Sequence, residues 1–131
     1  MFLGLRTVIY PAPDLAAGRD WFSGVLGFGP YFDEPFYVGF DVAGYELALD
    51  PAGDPAAGAV TCWGVADADA ALARLLGAGA AAREAVREVG GGIRVATVRE
   101  PAGAVLGVIE NPHFRLPPAP AGPGPGRRAG P

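Results

Sequence analysis

The stretch Val8-Ile9-Tyr10-Pro11-Ala12-Pro13-Asp14-Leu15, followed closely by Trp21-Phe22-Ser23-Gly24-Val25-Leu26-Gly27-Phe28, decides how this chain folds. Residues 5–10 are rich in β-branched and aromatic side chains and read as a strand. Pro11 and Pro13 stop it, since proline cannot donate to a ladder, and Asp14 offers a side-chain oxygen to the first free amides of a helix. From residue 15 to 26 the helical period puts Leu15, Trp21 or Phe22, Val25 and Leu26 on one face. Gly27 supplies the backbone freedom that ends a helix.

Further along, short strands are expected around Tyr31 and Phe32, over 36–42 and over 45–49, with Ala43-Gly44 as a tight connection. Residues 50–58 carry turn formers and little to bury, so they read as a linker. The pattern then returns. Residues 60–65 read as a strand, Asp67 or Asp69 as a cap, and 70–76 as a helix running to Gly77 and Gly79. Strands near 85–89, 93–99 and 105–109 complete the second unit. The fold class expected is α+β: two tandem βαβββ repeats, about 5–50 and 59–110, in one domain over 3–115, forming a curved sheet cleft and pairing as a dimer. The run Gly90-Gly91-Gly92 precedes a strand rather than a helix and lacks a following Lys-Ser/Thr, so it reads as a turn and not a phosphate loop. Residues 116–131 alternate Pro and Gly and read as a disordered tail.

Composition narrows the function classes. At 131 residues and 50% hydrophobic, the chain can bury a core, yet no apolar run approaches the roughly 18 residues of a membrane span. The single cysteine excludes an internal disulfide and two-cysteine metal motifs. The first residues lack the basic start and apolar run of a secretion signal, so a cytoplasmic protein without a membrane partner is expected. Ten basic residues, all Arg, stand against fourteen acidic ones, for a net charge of −4. With no basic cluster, nucleic acid is not an expected partner.

The opening stretch resembles the vicinal oxygen chelate superfamily, which contains glyoxalase I, extradiol dioxygenases and bleomycin-resistance proteins. The strand, the Asp14-Leu15 turn, the aromatic pair Trp21-Phe22 and the ending Leu26-Gly27-Phe28 carry the likeness. Its echo is Cys62-Trp63-Gly64-Val65-Ala66-Asp67 with Gly77-Ala78-Gly79, and Pro101-Ala102-Gly103 through Asn111-Pro112 resembles the closing turn and last strand. The resemblance implies that metal-dependent members take one ligand from each of four strands, His or Gln on the first of a repeat and Glu on its last. Counting back from Asp14 and Asp67 gives Thr7 and Val60; aligning Gly44 with Gly103 gives Ala48 and Gly107. Thr7, Val60, Ala48 and Gly107 are not usual ligands, and a one-residue slip recovers none. Glu46 and Glu110 stand nearby, and the only His, His113, falls beyond the last strand. No metal and no cofactor are therefore expected. The triple glycine and Tyr37-Val38-Gly39-Phe40 are also similar to a metal-free, glyoxalase-like subgroup.

Period-two alternation assigns the strand faces. If Thr7 faces the cleft, so do Ile9, Glu46, Asp50, Cys62, Val105 and Ile109, while neighbours such as Tyr10, Leu47, Leu49, Trp63 and Val108 build the core. The aromatics Tyr31, Phe32, Phe36, Tyr37 and Phe40 are read either as core and dimer contacts or as a stacking platform for a planar ligand. Asp33-Glu34 would then give that platform an acidic rim. Glu46 is the one candidate acid or base; otherwise it is a rim carboxylate paired with an Arg such as Arg94. Cys62 has no His placed near it and reads as a small buried hydrophobe.

Two functions compete. One is a metal-free binding protein resembling bleomycin-resistance proteins, which sequesters an aromatic or apolar small molecule. The other is a glyoxalase-like lyase or isomerase using Glu46 or an unrecognised metal arrangement. In either case a homodimer is expected, because short sheets with open edges are a poor monomer.

Overall fold

The computed structural model describes residues 1–117; the expected tail lies outside the described residues from 118 onward. The first repeat runs β1 (Gly4–Pro11), α1 (Leu15–Leu26), β2 (Phe32–Glu34), β3 (Tyr37–Val42) and β4 (Tyr45–Asp50). A one-turn 3₁₀ helix at Pro55–Ala57 leads to the second: β5 (Val60–Gly64), α2 (Ala68–Gly77), β6 (Ala81–Glu88), β7 (Arg94–Arg99) and β8 (Val105–Glu110). Asp14 caps α1 by accepting from the Ala17 amide at 3.1 Å, and Gly27 closes it at φ 82°. Asp67 rather than Asp69 caps α2, accepting from the Ala70 amide at 3.1 Å.

The strands form one mixed eight-stranded sheet in the order β2-β3-β4-β1-β5-β8-β7-β6. β1 and β5 meet antiparallel at its centre, β4 lies parallel to β1, and β8 lies parallel to β5. The order is thus mirrored about the β1–β5 seam, as two copies of one unit require. The sheet does not close, leaving β2 and β6 as edges.

Each repeat has its own core between helix and sheet. Ala12, Val38, Phe40 and Leu49 pack with Leu15, Phe22 and Leu26 under α1. Val65, Ala71, Ala96 and Val108 pack with Leu72, Leu75 and Leu106 under α2. Because side chains alternate along a strand, this leaves the opposite face of every strand free to line a cleft.

Several local expectations needed revision. Trp21 and Val25 are 63% and 62% exposed, so the buried stripe of α1 is Leu15, Phe22 and Leu26. β6 begins at Ala81, ahead of the expected residue 85; it is an edge strand whose pairing with β7 shifts register twice, which blurs its alternation. Leu116 and Pro117, read as the start of the tail, pack against the β3–β4 turn, where a methyl on Gly44 would meet Pro117 Cδ at 2.5 Å.

Candidate functional site: a cleft floored by a clamped carboxylate

Strand register defines the floor. Thr7 stands opposite Glu46 on β4 and opposite Cys62 on β5, and Cys62 stands opposite Gly107 on β8. The row across the four central strands is therefore Thr7, Glu46, Cys62 and Gly107. This corrects two positions obtained by counting. Ala48 and Val60 both lie opposite Ile9, in the next cleft-facing row. The counts slip because the repeats differ in length: β1 runs from Thr7 to Pro11 before its cap, whereas β5 runs only from Cys62 to Gly64. Likewise β4 begins directly after Gly44, but β8 begins two residues after Gly103.

Glu46 is held by three hydroxyls. Its Oε1 accepts from Tyr37 Oη at 2.7 Å and from Thr7 Oγ1 at 3.2 Å, while its Oε2 accepts from Tyr31 Oη. Two glycines make space around the row. A methyl on Gly39 would come within 2.7 Å of Glu46 Oε2 and 3.1 Å of the Tyr31 ring, and one on Gly107 within 2.9 Å of Cys62 Sγ. Burial, reinforced by the Glu46 charge, raises both the Tyr31 and Tyr37 phenols well above the usual range, so they stay protonated. Burial, with the charges of Glu46 and Glu84, pushes the Cys62 thiol up to about 12, and a neutral thiol is a poor nucleophile.

The donor set does not suit a divalent metal. Along the row it offers one carboxylate already accepting three hydrogen bonds, one hydroxyl, one neutral thiol and a glycine. Among the described residues, no group of three or more His, Cys, Asp or Glu converges anywhere. A structural or catalytic metal needs several converging N, O or S⁻ donors.

Above the floor lies a cavity of about 840 Å³. Tyr31, Phe32, Phe36 and Tyr37 form an aromatic wall, with the Phe32 ring 6.0 Å from Phe36 and 6.1 Å from Tyr37. Val89, Ile93, Val95 and Ile109 form an aliphatic wall from the second repeat. A smaller cavity of about 520 Å³ continues it, sharing Ile9, Asp50, Cys62, Arg87 and Val95. Of the residues singled out from sequence, Thr7, Ile9, Tyr31, Phe32, Phe36, Tyr37, Glu46 and Cys62 line the main cavity.

Phe40, Arg94 and Val105 do not line it. In β3 it is Tyr37, Gly39 and Asp41 that turn to the cleft, so Phe40 is fully buried under α1, its ring 6.3 Å from Phe22. Phe36 escapes this alternation because it sits in the turn before β3. Arg94 points to the helix side with Ala96; it pairs with Asp69 at 2.7 Å and Glu110 at 3.5 Å, not with Glu46. Glu110 is itself turned away from the cleft, accepting from the Ala68 amide at the start of α2. Val105 is buried at the far end of β8, opposite Arg99. Asp33 leans toward Arg19 at 3.6 Å and does not supply the acidic rim. Carboxylates on the cavity lining come instead from Asp41, Asp50 and Glu88, with Arg6 and Arg87 as cations.

The chain beyond β8 also contributes, which the sequence did not signal. Asn111 and Phe114 line the cavity, and the Arg6 guanidinium lies 3.9 Å over the Phe114 ring. His113 Nε2 is 2.6 Å from the carbonyl of Gly91, in the β6–β7 turn whose three glycines all take positive φ. A Gly-rich turn and the segment after β8 therefore frame one side of the mouth.

This architecture defines the class. Residues 4–108 match the family model for the Glyoxalase/Bleomycin resistance protein/Dioxygenase superfamily, and the chain belongs to that family. A Vibrio splendidus 12B01 member of the same superfamily is similar in structure, with TM-score 0.62 and 20% identity over 81% of this chain and 97% of that one. Streptomyces coelicolor methylmalonyl-CoA epimerase, in complex with 2-nitronate-propionyl-CoA, gives 0.68 and 17% over 89% and 100%. The Mn(II)-bound glyoxalase of Novosphingobium aromaticivorans gives 0.63 and 21% over 83% of this chain but only 39% of that longer one. A search of curated protein sequences gives no match. At these identities the structures establish the fold and leave the activity to the site itself. Among the described residues, no helix is long and apolar enough to cross a membrane.

Proposed function

We propose that this chain is a metal-free member of its family that binds an aromatic or apolar small molecule, in the manner of the drug-sequestering bleomycin-resistance proteins. The observation that carries the reading is the floor row. Where a metal-dependent relative needs converging ligands, this cleft has a carboxylate whose two oxygens are occupied by Thr7, Tyr31 and Tyr37. Glu46 anchors those side chains and so presents two phenol rings to the cavity. The volume of about 840 Å³ and the apolar walls fit a drug-sized ligand. The protein acts in the cytoplasm as a homodimer: both sheet edges are open, and α1 exposes Trp21 and Val25 beside Phe28 at 44%.

Thermal-shift and calorimetric titration against planar aromatic compounds tests the reading. A stoichiometric ligand whose affinity falls in Phe36→Ala and Tyr31→Ala supports it; affinity untouched by both variants contradicts it. The second reading is an epimerase- or glyoxalase-like enzyme. It draws on Glu46 lining the cavity and on the epimerase and glyoxalase among the structural neighbours. A turnover abolished in Glu46→Gln would favour it over sequestration.

A further inference from the structure

The hydroxyl protons at the floor are all committed to one acceptor. Tyr37 and Thr7 donate to Oε1 of Glu46 and Tyr31 donates to Oε2, and a hydroxyl has one proton to give. The three hydroxyl oxygens therefore keep only lone pairs for anything that enters, and the carboxylate adds its own. Ionisation does not alter this polarity near neutral pH, because burial keeps both phenols protonated. The Cys62 thiol beside them is also neutral and only a weak donor. Of the charged groups lining the cavity, Asp41, Asp50 and Glu88 add further acceptors. Donors elsewhere on the lining are Arg6, which lies over the Phe114 ring, Arg87 on the exposed edge strand β6, and the Tyr45 and Asn111 side chains. Glu46 accepts from none of them, only from Thr7, Tyr31 and Tyr37.

We infer that the site is an acceptor-only floor and selects aromatic ligands that carry a hydrogen-bond donor on the buried end, such as an ammonium, amidinium or hydroxyl, over those that carry a carboxylate or phosphate. This rests on the reading of the cleft as an aromatic binding site and specifies the polar end of its ligand. An anionic group brought to the clamp finds no free donor and meets Glu46 itself. A cationic donor finds the phenol oxygens and the carboxylate, in charge-assisted contact. The aromatic body of the same ligand lies against Phe32, Phe36 and the two tyrosine rings.

The test is calorimetry on the full chain with four probes of one shape: a naphthyl methylamine, the corresponding naphthyl methanol, its methyl ether and a naphthoate. The inference predicts the amine to bind about ten- to a hundredfold more tightly than the naphthoate, and the alcohol more tightly than its ether. The alcohol–ether comparison involves no ligand charge, so it reads hydrogen-bond polarity apart from the net charge of the protein. In Glu46→Gln, whose amide donates where a carboxylate oxygen accepted, the preference for the amine should fall at least severalfold while the alcohol still binds. Tyr31→Phe gives a second check if that variant melts early: it frees Glu46 Oε2 as an acceptor and should keep the amine bound more tightly than the naphthoate. A naphthoate that binds as well as the amine, or an ether equal to the alcohol, overturns the inference and leaves the aromatic site standing. Failure of all four probes to bind overturns the aromatic site and the inference with it.

Discussion

Replacing Glu46 by Gln changes one oxygen and should register in both stability and tyrosine titration. The two hydroxyls on Oε1, from Tyr37 at 2.7 Å and Thr7 at 3.2 Å, keep an acceptor, but a neutral one. A hydrogen bond to a charged group contributes about 1.5–3 kcal/mol against about 0.5–1.5 for a neutral pair, so the two together lose about 2 kcal/mol. Tyr31 is 62% exposed as a residue, so its bond to Glu46 is discounted for solvent screening and adds little to that sum. For a folded unit of this size the loss lowers the melting temperature by about 6–10 °C. The same substitution removes the charge that helps to raise both phenols, and spectroscopic titration should find Tyr31 ionising at lower pH than in the parent. Burial is the larger cause of both shifts, so each phenol should move down only in part, and Tyr37, the more buried of the two, should stay the higher. A variant as stable as the parent, with both tyrosines titrating unchanged, would refute the clamp as the organiser of the floor.

Other perturbations separate core from cleft. Phe40→Ala should cost about 3–5 kcal/mol in denaturant unfolding, while Phe36→Ala, at 67% exposed, should stay within about 0.5 and affect ligand affinity alone. Gly39→Ala pushes a methyl against Glu46 and Tyr31, and should cost about 1–3 kcal/mol while lowering the pH at which Tyr31 ionises. Cys62 should resist alkylation in the folded protein at neutral pH and react fully on unfolding. Its thiol rises from 9.0 to about 12, so the folded state holds a proton that the unfolded chain releases. Its stabilising contribution is whole below pH 9 and is lost as pH rises toward 12; melting that improves over that range contradicts the assignment.

What the sequence disclosed was local and periodic. Asp14 and Gly27 bound the first helix where their chemistry says they should, and the return of the same signals after residue 60 marked the tandem repeat. Alternation placed Thr7, Ile9, Glu46 and Cys62 on one face of the sheet. Register was not legible, because it depends on loop lengths that differ between the repeats. Hence Ala48 and Val60 stood where Glu46 and Cys62 belong. The clamp joins residues 7, 31, 37 and 46, and pairwise geometry of that range has no signature in spacing. Phe40 misled because aromatic content marks both cores and ligand walls; only the odd–even step from Tyr37 told them apart. Phe114 and Asn111 were hidden because the closing segment crosses back to the mouth only once the sheet has curved.

The claim at the centre is that the floor is built around a hydroxyl-clamped carboxylate and not around a metal. Native mass spectrometry of the purified protein, before and after incubation with Zn, Ni or Mn, tests it most directly. The account predicts a mass without metal under all conditions and unchanged tyrosine titration after incubation. One tightly held metal per cleft, displaced by Glu46→Gln, would contradict it.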